Sequence, residues 1–273
     1  MRRGPGHEPV TTALSRDGIR LAVGTLTILP VAPPKVVDRQ VGASAMTLAP
    51  QVGAVLGLIA GTVLWCLTWL DGLSPLLASA LALTVVVVLT RAMHLDGLAD
   101  TADGLGSGQP SAAALDIMRK SDIGPFGVVT TVLALLIQVA ALAQLVADGV
   151  GPLSLALGLV VSRMILPVVC SRGIPAARRE GLGRVVADSV SRAQLFVALL
   201  LGATSIVLFF ALASALPGVS GMVAGAVAAP LGLLAGGALC YWCVRRLGGI
   251  TGDVMGACVE VTFAATLVVL TLT

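Results

Sequence analysis

Four stretches of this chain carry residues whose types and spacing could do chemistry. The first is "RAMHLDGLADTADGLGSG", residues 91–108. On a helix, Asp96, Asp100 and Asp103 stand at i, i+4 and i+7, so all three project within about 60° of one another. Like charges at this spacing repel by a few tenths of a kcal/mol per pair. No Lys or Arg lies within helical reach on that stripe, so its neutralising partner must come from elsewhere. A hard divalent cation suits the task, since Mg²⁺ prefers carboxylate oxygen and keeps positions open for phosphate. His94 is a poor Mg²⁺ ligand and reads instead as a proton acceptor or phosphate partner. "LDGL" also occurs at 70–73 in a bare turn, so the information lies in the added D-x-x-D spacing. The plainer alternative is a solvated polar loop.

The second stretch, "IMRKSDIGPFG" (117–127), combines Arg119, Lys120 and Ser121 with Gly124 and Gly127. Charge and backbone N–H groups there could hold phosphate, or the stretch is a basic loop flanking a membrane. The third, "PAARREGLGR" (175–184), offers Arg178, Arg179 and Arg184. Guanidinium forks match phosphate, although a loop that only sets membrane topology would look similar. In the fourth, "GGITGD" (248–253), glycines such as Gly249 permit close backbone approach, Thr251 joins the substrate contacts, and Asp253 adds a fourth carboxylate. Glu260 lies seven residues beyond Asp253, on its face; with Arg163 it is charged within an apolar run, where charges are usually functional or paired. Together these residues point to metal-assisted phosphoryl or phosphodiester chemistry. The expected metal ligands are Asp96, Asp100, Asp103 and Asp253, which with His94 form the catalytic set. Arg119, Lys120, Ser121, Arg178, Arg179, Arg184, Gly249 and Thr251 are expected to bind substrate.

The elements that must position them are set by composition. The 273 residues are 57% hydrophobic and 11% charged, with mean hydropathy +1.00, whereas a soluble domain is about 25% charged. The expected fold is all-α: a polytopic transmembrane helical bundle forming one integral membrane domain over 1–273, with 1–18 a flexible tail. Apolar runs of bilayer length place seven spans at 48–70, 74–90, 126–147, 152–171, 195–217, 221–244 and 254–273. Residues 21–34 are too short and end in prolines, so they read as an interfacial or re-entrant segment. Basic connections (Lys35 and Arg39; Arg91, Arg119 and Lys120; Arg172 to Arg192; Arg245 and Arg246) alternate strictly with connections that have no basic residue. The positive-inside rule puts the basic connections, and every motif above, in the cytoplasm and the C-terminus outside. Residues 1–18 precede no cleavable signal pattern. A net charge of +3 gives no reason to expect nucleic-acid binding. The five cysteines lie in apolar runs, and "CYWC" (240–243) lacks the second pair or histidine that would complete a metal site. The 32 glycines suit close helix packing in lipid.

In order and spacing, "HLDGLADTADG", "IMRKSDIGPFG", "PAARREGLG" and "GGITGD" resemble the motifs of the cobalamin synthase family, the adenosylcobinamide-GDP ribazoletransferases; "GTLTILPV" near the start resembles that family's N-terminal segment. The resemblance runs from about residue 25 to 260. It implies an enzyme that joins adenosylcobinamide-GDP to α-ribazole or its 5′-phosphate, with Mg²⁺ as cofactor. GMP is released and adenosylcobalamin or its phosphate is formed, late in vitamin B12 synthesis. It also implies a multi-pass protein of the prokaryotic plasma membrane, in which a ribose hydroxyl attacks the cobinamide-side phosphorus. One departure stands out: relatives often show an acid, a serine and a base before "IG", whereas here Lys120, Ser121 and Asp122 exchange the charges. Expected partners are the two substrates and the lipid bilayer, and the sequence is compatible with a homo-oligomer. The preferred ribazole form, the number of metal ions and the general base are left open. A CDP-alcohol phosphotransferase fits less well, because that pattern wants Ala-Arg soon after Asp-Gly. An ion-coupled transporter would want carboxylates near mid-membrane.

Overall fold

The computed structural model describes residues 15–214 and 222–272, and apart from isolated bridges these contain helices and connections only. Eleven helices follow in order: α1 Arg16–Leu26, α2 Arg39–Thr68, α3 Pro75–Leu89, α4 Met93–Gly106, α5 Ser111–Ile117, α6 Pro125–Ala147, α7 Gly151–Val169, α8 Leu182–Val186, α9 Arg192–Ser214, α10 Met222–Leu247 and α11 Gly252–Leu270. Six of them (α2, α6, α7, α9, α10 and α11) are long and apolar enough to cross a bilayer. This is the expected multi-pass bundle; the span expected at 74–90 is the shorter α3, and the count reaches seven only if the bent pair α3 and α4 is taken as one span.

α3 has 15 residues, about 22 Å of helix against the ~30 Å of a hydrocarbon core. It stops because Arg91 and Ala92 both take φ of 55°. The N–H of Ala92 reaches Val87 O at 2.8 Å and that of Arg91 reaches Val88 O at 3.1 Å, the paired bonds of a Schellman ending. The chain turns through 88°, and α4 leaves the line of α3 to lie across the end of the bundle. Arg91 is fixed there by a 2.9 Å bond from its Nη2 to Gly24 O of α1.

The expected segment at 21–34 divides differently. Its first half belongs to α1, which starts at Arg16, inside the stretch expected to be a flexible tail; Ser15 Oγ caps it by accepting from Gly18 N at 2.9 Å. Residues 27–34, with the prolines, are not helical. α1 is too short to cross a bilayer and buries Gly18, Leu21, Ala22 and Leu26, packing on α2. Residues 1–14 of the tail, the turn at 218–220 and Thr273 lie outside the described residues.

α2 begins at Arg39 rather than at 48, because Asp38 Oδ1 accepts from Val41 N at 2.8 Å and caps a first turn too polar to read as a span. Its Gly57 and Gly61 face α7: a Cβ would stand 2.9 Å from Ala156 Cα and 3.0 Å from Pro152 O. Such small-residue stripes let backbones meet where lipid offers no hydrophobic drive. α7 is therefore the core of the bundle, buried over nearly its whole length.

Candidate functional site

The sequence motifs meet at one end of the bundle. There α2 and α11 start, α10 ends, and α4, α5 and α8 lie with their connections. Arg39 Nη2 bonds Asp188 Oδ2 at 2.9 Å, Ser111 Oγ bonds Leu247 O at 2.8 Å, and Arg246 Nη2 reaches Gln109 O at 3.3 Å, tying these pieces together.

α4 crosses the start of α11 at glycines. A Cβ at Gly97 would stand 2.7 Å from Asp253 O, and one at Gly256 would stand 3.2 Å from His94 Cα. This contact sets Asp253 against the aspartate stripe. From the other side, residues 175–177 run parallel to 249–250: Ile250 N donates to Pro175 O and Ala177 N to Ile250 O, each at 2.9 Å. The strap delivers Arg178, whose Nη1 donates to Asp253 Oδ2 at 3.1 Å and whose Nη2 donates to Leu115 O at 2.9 Å. One planar fork thus joins α5 to α11.

The carboxylates are not equivalent. Asp96 is exposed, Asp100 is half-buried and Asp103 is buried. Asp103 uses both oxygens on α6: Oδ2 accepts from Gly124 N at 2.7 Å and Oδ1 from Gly127 N at 2.9 Å. It is a side-chain cap brought from another helix, with its charge on the positive end of α6. Both oxygens of the buried Asp103 already accept an N–H, which makes it a poorer metal ligand than its spacing suggests, and the Gly124 and Gly127 N–H groups, expected to face phosphate, are already used. Asp100 holds its proton up to about 6, first through burial and then through the charges of Asp96, Asp253 and Asp103, with Arg178 opposing.

Among the described residues no three His, Cys, Asp or Glu side chains are drawn together closely enough to hold a metal as they stand. The four-carboxylate set expected from spacing is not assembled. Asp96, Asp100 and Asp253 are the members that still fit a hard cation. They are oxygen donors, Asp100 feels both neighbours, and Arg178 offsets Asp100 and pairs with Asp253.

His94, expected in catalysis, is buried at 3% exposure against α11, and neither ring nitrogen has a partner. Both ring nitrogens are shut off from solvent. Gly249 serves the strap, since a Cβ there would meet the backbone of Ala176 and Ala177 at 2.6 Å. Thr251 caps α11 by accepting from Val254 N at 3.2 Å and donates to Asp253 Oδ2 at 3.2 Å. Both were expected to touch substrate; Gly249 packs on the strap, and Thr251 braces Asp253 while lining the small cavity beside it. Arg119, Lys120 and Ser121 are exposed on the connection from α5 to α6.

Two openings adjoin this centre. A small cavity of about 190 Å³ is lined by Arg178, Glu180, Arg184, Thr251 and Asp253 among others. A larger cleft of about 950 Å³ shares Arg178, Glu180, Gly181 and Arg184 with it and extends over Arg179 to Arg39 and Asp188. The arginines expected from "PAARREGLGR" therefore form a common wall. Glu180 stands in that wall too; it lay in the quoted stretch, but the arginine pattern drew the reading.

Deeper in the bundle, Glu260 Oε2 accepts from Gln138 Nε2 at 2.8 Å, and Arg163 Nη1 donates to Ser162 Oγ at 2.8 Å. Arg163, Glu260 and Gln138 line one small void with Thr90 and Leu95. Gln138 gave no signal in the sequence because two uncharged amides, Gln138 and Gln144, leave a 23-residue helix apolar. Cys170, Cys240, Cys243 and Cys258 are buried free thiols, and Cys66 is exposed.

The family model for Cobalamin-5-phosphate synthase matches residues 18–271. A relative from Nocardioides sp. is 42% identical over 252 residues, covering 92% of this chain and 97% of its own length. One from Frankia casuarinae is 36% identical over 265 residues, covering 93% and 94%, and one from Syntrophobacter fumaroxidans is 37% identical over 253 residues, covering 90% and 94%. All three bear the name adenosylcobinamide-GDP ribazoletransferase. No solved structure matches the chain.

Proposed function

The chain belongs to the cobalamin-5-phosphate synthase family and is a membrane ribazoletransferase of late cobalamin biosynthesis; on that premise we propose how its residues divide the work. Adenosylcobinamide-GDP and α-ribazole, or its 5′-phosphate, meet at the carboxylate–arginine end of the bundle, and GMP leaves. The observation that carries this reading is the juxtaposition, by the Gly97 crossing and the Arg178 fork, of Asp253 with Asp96 and Asp100 beside an arginine-walled cleft.

Asp96, Asp100 and Asp253 would hold Mg²⁺. When bound, the ion supplies charge neutralisation for a phosphorus centre under attack and for the departing phosphate oxygen. Arg178 fixes the Asp253 carboxylate through one oxygen and leaves the other free. Arg179 and Arg184, with no ion-pair partner among the described residues, take phosphate oxygens. Asp103 acts one step back, by locking α4 to α6. The basic connections support a cytoplasmic orientation for this end, at a prokaryotic plasma membrane, where a soluble nucleotide product can leave.

The test is GMP release by the purified protein in lipid discs from adenosylcobinamide-GDP and α-ribazole. Release with Mg²⁺, loss on chelation and return on adding Mg²⁺ are expected. Absence of release with both substrates and Mg²⁺ refutes the activity; release indifferent to chelation refutes the metal assignment.

A further inference from the structure

The cleft of about 950 Å³ is of the size that small-molecule sites occupy, and its charged groups sort by what already holds them. Asp38 spends Oδ1 on Val41 N at the start of α2. Asp188 accepts from Gly173 N at 2.7 Å and from Arg39 at 2.9 Å. Arg39 also bonds Asp188 O at 2.7 Å, and Arg178 is taken by Asp253 and Leu115. That leaves Glu180, Arg179 and Arg184 with no side-chain bond or ion pair among the described residues. Two free guanidinium groups therefore stand beside one free carboxylate, on a loop turned by Gly181 at φ 86°.

A site for phosphate alone gains nothing from the carboxylate. A site for a nucleotide does, if the base presents adjacent donors. Guanine offers N1–H and N2–H₂ side by side, and a carboxylate accepts both in a paired, charge-assisted arrangement. Adenine turns an N1 lone pair toward the same position. The benzimidazole of α-ribazole has an aromatic nitrogen acceptor and no N–H. Of the bases in the two substrates, guanine alone complements the free carboxylate.

Resting on the ribazoletransferase reading, we propose that Glu180 selects the guanylyl end of the corrinoid substrate by accepting from guanine N1–H and N2–H₂ while Arg179 and Arg184 hold the phosphates. Glu180 also lines the small cavity beside Asp253, so the base-reading group and the reacting centre share one wall.

The experiment compares adenosylcobinamide-GDP with its inosine-diphosphate analogue, which lacks the N2 amine, in the wild-type enzyme and in Glu180→Gln, with α-ribazole and Mg²⁺ in lipid discs. Wild type should favour the guanosine substrate in kcat/KM by about 10-fold or more, the scale of one hydrogen bond to a charged group. Glu180→Gln should lose about 10-fold or more on the guanosine substrate, mainly in KM, and its preference over the inosine analogue should fall to within about 3-fold. The KM for α-ribazole and the melting temperature should stay as in wild type. A variant that keeps the wild-type preference, or loses both substrates in equal proportion, overturns the assignment. Wild-type enzyme that releases no nucleotide from adenosylcobinamide-GDP overturns the transferase reading beneath it.

Discussion

Neutralising Asp103 should damage the fold, whereas neutralising Asp96 or Asp100 should damage the chemistry. The three look alike on one helical stripe, yet Asp103 accepts from Gly124 N at 2.7 Å and Gly127 N at 2.9 Å. Asn at 103 keeps one acceptor, turns an amide donor toward the other N–H, and removes the charge from the start of α6. Loss of a capping side chain costs roughly 0.5–2 kcal/mol, and a charge on a helix end contributes about 0.3–1 kcal/mol more. The expected cost is therefore about 2 kcal/mol. At roughly 2–4 °C per kcal/mol for a chain of this size, Asp103→Asn should melt about 4–8 °C lower in detergent. Asp96→Asn and Asp100→Asn should not melt lower, and each should cut GMP release by about 100-fold, as loss of an electrostatic stabiliser does. The assay pairs thermal melts with initial rates across a Mg²⁺ titration. An Asp103→Asn protein with wild-type melting, negligible rate and a shifted Mg²⁺ requirement would make Asp103 a ligand and the capping argument wrong.

The Asp100 carboxyl, held up to about 6 from 3.8, binds its proton more tightly folded than unfolded. Its favourable contribution is thus complete below pH ~3.8 and lost as pH rises through about 6. Without divalent metal, Asp100→Asn should melt near wild type around pH 4.5 and above it at pH 8; parallel curves would contradict the crowding of Asp96, Asp100 and Asp253. Arg178→Lys keeps the charge but cannot span Asp253 Oδ2 and Leu115 O together. Its kcat/KM should fall by about 10-fold or more, the worth of one charge-assisted bond; an unchanged rate would reduce Arg178 to a counter-charge.

What could be read in advance was whatever repeats at short range. Long uncharged runs mark the spans because a bilayer demands that every backbone group be satisfied within its own helix. The spacing of Asp96, Asp100 and Asp103 marks α4 because helical period is a local property. The bend before α4 was not legible: Arg91 and Ala92 are left-handed without glycine or proline to announce it, and the turn is fixed partly by Gly24 far back in the chain. The start of α2 was missed for a related reason, since its polar first turn is held by the Asp38 cap rather than by lipid.

Roles within the motifs are hard to read from sequence on the same ground. Residue type shows what a side chain can do, and the partner decides which of those things remains open to it. Asp103 and Asp96 differ only in that α6 arrives at one of them. Gly249 and Thr251 read as substrate contacts, and their structural work appears only once residues 175–177 pair alongside and α11 takes its cap. The same accounting, applied to the cleft, separates Glu180 from Asp38 and Asp188. In a site assembled by crossings and straps, the chemically available residues are those that no neighbouring element has claimed.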